Sequence, residues 1–186
     1  MASKKSRCIG VFGGSFNPPH LGHRRIVIEL LERGIVDEIW LLPCREHAFG
    51  KELRPGALRC QELALLIASL PKKTRNRVRV EEFELNQAGL SITYDTLRAL
   101  QKRDPQFAYQ FIIGSDQVAD FPKWHHYQSL LQEFPVLVYP RLPHPYPKLL
   151  PGMRSLSHFP IIDISSTQIR HLQAIGDKTW QTLVIQ

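Results

Sequence analysis

Eleven residues, Gly13 to His23 with the sequence GGSFNPPHLGH, constrain this chain more than any others. They follow a short apolar run, Cys8-Ile9-Gly10-Val11-Phe12, that reads as a buried strand. They lead into residues 21–33, where Val27, Leu30 and Leu31 recur at helical spacing beside Arg24, Arg25, Glu29 and Glu32. A Gly-rich turn therefore ends a strand, and two histidines three apart, His20 and His23, open a helix. Residues at i and i+3 share a helix face. Backbone N–H groups at a helix start lack partners and favour anions. Gly22, with no side chain, is expected to keep the surface low enough for a phosphate to approach. The segment reads as a phosphate site with two imidazoles aimed into it. By themselves, two histidines at this spacing also fit a pair of metal ligands or plain surface residues.

The rest of the chain supplies the frame. Strand-like runs fall at about 7–12, 37–42, 77–85, 108–113, 134–139 and 159–164. Helix-like runs lie between most of them, at 21–33, 56–70, 93–103 and 124–132, with one more starting near Ser166. Such alternation predicts an α/β fold: a single Rossmann-like domain spanning 1–186, its mainly parallel sheet covered by helices on both faces. Near-continuous apolar strands such as Phe111-Ile112-Ile113 agree with that. Ligands of such sheets bind beyond the carboxyl ends of the strands. The GGSFNPPH, Gly114-Ser115-Asp116 and Ile164-Ser165-Ser166-Thr167 segments all follow strands and can converge on one crevice. Residues 1–6 are expected to be disordered. The stretch from Pro140 to Gly152, with five prolines, is expected to be an irregular loop or flap.

Composition narrows the partners. No apolar stretch approaches the ~18 residues of a membrane span, so no membrane partner is expected. Three cysteines at no metal-type spacing point to a reducing, cytoplasmic setting and to no metal held by cysteine. The net charge of +7 fits nucleic acid or a small polyphosphate. Part of the excess sits in Lys72-Lys73-Thr74-Arg75-Asn76-Arg77-Val78-Arg79, which reads as a solvated turn entering an exposed strand. A nucleic-acid patch would interleave aromatic residues, and this run has none.

The motif GGSFNPPHLGH resembles the His-x-Gly-His signature of the nucleotidyltransferase superfamily. Three later segments, SITYDTLRAL at 91–100, FIIGSDQVADFPKW at 111–124 and ISSTQIR at 164–170, resemble the bacterial nicotinate-nucleotide adenylyltransferases in that order. The resemblance runs from about Ile9 to Arg170. Its first and last motifs are shared with pantetheine-phosphate adenylyltransferases, and the GSD…FPKW segment is the one that points to pyridine nucleotides.

This resemblance implies adenylyl transfer from ATP to nicotinate mononucleotide. The alternatives are the same chemistry on nicotinamide mononucleotide or phosphopantetheine, or a nucleotide sensor without turnover. It assigns His20 to the reacting α-phosphate, and His23 and Arg170 to the ATP phosphates. Gly13, Gly14, Ser15, Phe16 and Gly22 form the ATP loop around them. Gly114 and Asp116 are assigned to the adenosine ribose, and Ser165, Ser166 and Thr167 to the phosphates. Two of these have plainer readings: Ser165 with Gln168 is a capping box, and Asp116 is a helix cap. Thr93, Trp124 and the backbone of His125 are assigned to the pyridine ring, although a tryptophan at helical spacing also reads as core. Relatives carry a Pro-Pro-His-Lys loop after the second strand. Here the loop is atypical over 43–51, and Lys51 is given the pyridine-nucleotide role only with a changed spacing. Asn17 stands where relatives often have Asp. Mg²⁺ is expected as cofactor, held mainly by ATP phosphates. The chain continues only sixteen residues past Arg170, so oligomer contacts of a longer tail are not assumed.

Overall fold

The computed structural model describes residues 6–46 and 52–185. Six strands form one sheet: β1 (Arg7–Gly14), β2 (Glu38–Pro43), β3 (Val78–Val80), β4 (Phe107–Gly114), β5 (Val136–Tyr139) and β6 (Met153–Ser155). Their order is β3-β2-β1-β4-β5-β6, and every neighbouring pair is parallel. The helices are α1 (Leu21–Glu32), α2 (Gly56–Ala68), α3 (Lys72–Arg75), α4 (Thr93–Arg103), α5 (Tyr127–Glu133) and α6 (Ser166–Ala174).

Both faces of the sheet are apolar because strand side chains alternate and each face is covered. In β2, Ile39 and Leu41 join Phe12, Ile26, Leu30, Leu63 and Leu66 in a core built with α1 and α2. Trp40 and Leu42 point the other way, to Val11, Leu97, Leu100, Leu130 and Val136 in the core under α4 and α5. The strand order reverses direction between β1 and β4. That switch point opens a crevice at the carboxyl edge, where an α/β sheet takes its ligands.

Two expected strands come out differently. The run 77–85 pairs only over Val78–Val80 and then turns into a 3₁₀ segment at Glu84–Asn86. Its apolar residues mark burial at the sheet edge, not a longer ladder. The run 159–164 is no strand. Pro160 has no N–H to give, and contact there is one bridge between Arg141 and Ile162, while the sixth strand lies earlier at Met153–Ser155. The 124–132 helix starts late, at Tyr127, because His126 sits in the left-handed region at φ 57°.

The basic run is mostly engaged. Lys72–Arg75 forms the single turn α3, solvated as expected: only Thr74 is buried, Lys72, Lys73 and Arg75 are exposed, and the turn leads into β3, where Arg79 is exposed. Arg75 donates to the Leu70 carbonyl, Arg77 to those of Asp37, Leu31 and Val36, and Arg79 lies 3.6 Å over the Trp40 ring. Of the amino-terminal stretch, residues 1–5 lie outside the described residues. The Ser6 hydroxyl donates to the Gln106 carbonyl at 2.7 Å. Pro140 to Gly152 forms no helix or strand. Among the described residues no helix is long and apolar enough to cross a membrane.

Candidate active site

The crevice is a cleft of about 380 Å³ whose walls come from the carboxyl ends of β1, β4 and β5 and from the starts of α4 and α6. The sequence-assigned residues Gly13, Gly14, Ser15, Phe16, His23, Gly114, Asp116, Ser166, Thr167, Thr93, Trp124 and His125 line it. His20, Gly22, Ser165 and Arg170 stand behind that wall, and Lys51 lies outside the described residues.

The loop from β1 to α1 is shaped by burial. Phe16 takes φ 43°, a left-handed conformation costly for a bulky residue. Its ring is buried, edge-on to Phe12 at 5.8 Å, and that packing holds the turn. Arg59, 1% exposed on α2, braces the loop by donating to the carbonyls of Ser15 at 2.9 Å and Arg54 at 3.0 Å. Asn17 knits the next residues. Its Oδ1 accepts from Arg54 Nε at 3.0 Å, and its own carbonyl accepts from Arg170 Nη1 at 2.7 Å.

The imidazoles of His20 and His23 are neighbours, ring centres 3.7 Å apart and planes tilted by 33°. The backbone N–H of His20 donates to Nδ1 of His23 at 3.1 Å. That bond leaves the proton of a neutral His23 on Nε2, a donor. Both rings are held neutral. Burial first, then the Arg141 charge, brings the His20 pKa down to about 3. Burial, His20 and Arg141 push His23 well below the usual histidine range. The two side chains form a capping box at the start of α1, and beyond it neither buried ring nitrogen of His20 has a hydrogen-bond partner among the described residues, which is unusual for buried polar atoms.

Gly22 is closely packed: a Cβ there would sit 2.9 Å from Cε1 and Nδ1 of His20 and 2.7 Å from Ile162, so its missing side chain makes room for both. The helix start differs from the expectation: the first N–H of α1, on Leu21, is bonded to the Leu183 carbonyl at 2.9 Å. The chain past α6 folds back as a 3₁₀ turn, Lys178–Thr182, to reach it.

At α6 the Ser165 side chain accepts the Gln168 N–H at 3.0 Å, the N-cap half of the expected box. Ser166 donates to the Pro18 carbonyl at 2.8 Å, and Arg170 also reaches Thr167 Oγ1 at 3.1 Å. Burial and the nearby Arg54 charge act against the Arg170 cation, a tension that a bound anion relieves.

On the β4 side, a Cβ on Gly114 would overlap Asp116 Oδ1, so the turn needs glycine. Asp116 Oδ1 is buried without a partner, and Oδ2 lies 3.4 Å from Arg141 Nη1. Trp124 stacks on Phe121 at 4.9 Å and meets Phe111 edge-on at 6.1 Å. It belongs to the extended link before α5, not to a helix.

Sequence reasoning missed Arg141, Tyr139, Glu84 and Cys44, all of which line the cleft. The available signal for Arg141 was its place just past the apolar strand Val136–Tyr139. The proline-rich run after it reads instead as a plain loop. Glu84 was hidden in a run that reads as strand. Among the described residues no group of three or more His, Cys, Asp or Glu is arranged to hold a metal ion.

A cytidylyltransferase-like family model matches residues 11–172. The chain is 33% identical over 168 residues to the nicotinate-nucleotide adenylyltransferase of Bacillus subtilis, covering 87% of this chain and 83% of that one. It is 36% identical over 170 residues to a Bacteroides fragilis protein named "Probable nicotinate-nucleotide adenylyltransferase", covering 90% and 82%. The fold is similar to Plasmodium falciparum nicotinic acid mononucleotide adenylyltransferase complexed with NaAD, with a TM-score of 0.81 at 21% identity over 96% of this chain and 90% of that one. The turn after β1, its paired histidines and the serine-led start of α6 are thus set in a fold shared along nearly the whole chain, which belongs to the cytidylyltransferase-like family and, within it, to the nicotinate-nucleotide adenylyltransferases.

Proposed function

We propose that the protein transfers the adenylyl group of ATP to nicotinate mononucleotide, giving nicotinate adenine dinucleotide and pyrophosphate. One observation supports the reading above the others: two buried, neutral imidazoles stand at the phosphate turn, and both nitrogens of one are unpartnered. The relatives named above, and the adenylyltransferase with bound NaAD, share this framework.

The chemistry asks little of the chain. A phosphate oxygen of the mononucleotide attacks the α-phosphorus, and the bond from that phosphorus to the bridging oxygen of the β-phosphate breaks. Pyrophosphate leaves with the electron pair. The attacking phosphate is largely dianionic at pH 7, since its second pKa is about 6, so no general base has to make the nucleophile. Catalysis is then positioning and stabilisation of charge on the α-phosphate. Neutral His20 donates to the α-phosphate oxygen, and His23 donates from Nε2. Arg170, Ser166 and Thr167 hold the β- and γ-phosphates, and Asp116 accepts from the ribose hydroxyls. Thr93, Trp124 and the His125 backbone receive the pyridine ring. Mg²⁺ enters with the substrate as MgATP, its ligands being phosphate oxygens and water. Bound in that way it would supply neutralisation of charge on the departing pyrophosphate.

The test is identification of the product. With ATP, Mg²⁺ and nicotinate mononucleotide, nicotinate adenine dinucleotide forms in step with pyrophosphate. Pyrophosphate release without the dinucleotide would mean hydrolysis and would exclude the reading.

A further inference from the structure

The pyridine half of the cleft contains a carboxyl that no cation balances. Glu84 is 5% exposed and lines the wall that also carries Ser91, Ile92 and Thr93. Its Oε1 accepts from the buried Thr96 hydroxyl at 2.9 Å, and the Ser91 hydroxyl also bonds to it. These two partners bracket Thr93 in the chain.

Among the described residues no Lys, Arg or His forms an ion pair with Glu84. Arg59, from α2, is committed to the carbonyls of Ser15 and Arg54 and to the Cys44 thiol. Arg45, after β2, bonds the Gln87 carbonyl and reaches only Glu46. On α4, Arg98 is held by Glu133. Cys44 is a neutral thiol, its pKa pushed up to about 11 by burial and by Glu84. Glu46 and Glu82 add only like charge. Lys123, paired with Asp120, Arg141, beside Asp116, and the exposed His125 line the same cleft without an ion pair to Glu84.

An ionised carboxylate in such a wall repels a second carboxylate more strongly than it would in water. A protonated one donates a hydrogen bond to it. An amide NH₂ reverses the preference, since it donates to the ionised form. We propose that Glu84 selects between an acid and an amide on the pyridine ring: protonated it accepts nicotinate mononucleotide, ionised it turns the cleft toward nicotinamide mononucleotide. This rests on the pyridine-nucleotide reading above. Burial raises the Glu84 pKa, and the two hydroxyl bonds only partly reverse that. Glu84 is therefore neutral below that raised value, and acid preference is lost as pH rises through it.

The test is calorimetric titration with each mononucleotide between pH 5 and 8, with a non-hydrolysable ATP analogue as the control for an intact site. Both mononucleotides carry the same phosphate, so its titration cancels from the ratio of their affinities. In the wild type, preference for the acid falls about tenfold or more over this range, the size of one unpaired like charge. In Glu84→Gln the ratio is flat, and in His125→Asn it still falls. A flat wild-type ratio overturns the proposal. So does a slope that survives in Glu84→Gln, or one that disappears only in His125→Asn. Failure of both mononucleotides to bind, with the ATP analogue still bound, overturns the pyridine reading and this proposal with it.

Discussion

His20 donates its backbone N–H to Nδ1 of His23 at 3.1 Å, and the two ring centres lie 3.7 Å apart. One bond thereby fixes the tautomer of the second imidazole. The relationship explains how two adjacent basic side chains share a buried pocket without charge. Each is neutral, and under the proposed function each donates to a phosphate that arrives with its own charge.

Under the proposed function, replacing His20 with alanine removes a preorganised donor from the place where charge develops. Such a donor is typically worth about 10²–10³ in rate. His20→Ala is expected to lose that much kcat while its KM for ATP changes by a few fold. Arg170→Ala, which removes contacts present before reaction, is expected to raise the KM for ATP. Steady-state kinetics of both variants separates the two effects, and a near-normal kcat in His20→Ala would exclude the imidazole from the chemistry.

The same burial makes stability depend on pH. The folded-state pKa of His20, about 3, lies below the ordinary value near 6.5, and His23 is displaced in the same direction. Between those limits the unfolded chain binds more protons than the folded one, so stability falls as pH drops below about 6.5. Each histidine contributes a slope of up to about 1.4 kcal/mol per pH unit. Denaturant unfolding from pH 7 to 4 should show this decline, and it should be shallower in His20→Asn. Equal slopes in both proteins would mean that His20 is not buried as a neutral ring.

Gly22→Ala tests how closely the helix start is fitted. The new methyl group meets His20 and Ile162 at under 3 Å, so one of them must move. Overpacking of this kind costs roughly 1–3 kcal/mol. The variant is expected to lose kcat along with stability, because the displaced neighbour is the His20 ring. A variant that loses only stability would show that Ile162 yields instead.

Trp124 is anchored by Phe121 and Phe111 and lines the cleft. Trp124→Ala is expected to raise the KM for the pyridine substrate about tenfold or more, in keeping with stacking worth 1–3 kcal/mol per base. ATP affinity should be nearly unchanged. An equal loss of both affinities would indicate a collapsed wall instead of a lost ring contact.

Most of the frame was legible in the sequence because strands β1, β2 and β4 are long apolar runs and α1, α2 and α4 carry clear helical spacing. The turn between β1 and α1 was legible because Gly13, Gly14, His20 and His23 sit together between a strand and a helix. Runs 77–85 and 159–164 misled, beyond the paired Val78–Val80, for one reason: Phe83, Phe159 and Ile162 record packing into the core, and packing alone does not make a strand. Arg141 and Glu84 were invisible because their roles depend on what faces them across the fold. Arg141 opens a proline-rich stretch yet lies 3.4 Å from Asp116. Glu84 sits in a 3₁₀ turn and bonds to a helix twelve residues on. The close packing at Gly22 likewise depends on neighbours, His20 and Ile162, whose positions only the folded chain defines.

The central claim is that this cleft joins ATP to a pyridine mononucleotide carrying a ring acid. It is tested most directly by initial rates of pyrophosphate release from MgATP with nicotinate mononucleotide, nicotinamide mononucleotide and phosphopantetheine, each at pH 6 and limiting concentration. The account predicts the highest kcat/KM with nicotinate mononucleotide, a lower one with the amide, and none measurable with phosphopantetheine. Turnover with phosphopantetheine alone, or with no acceptor at all, would contradict it.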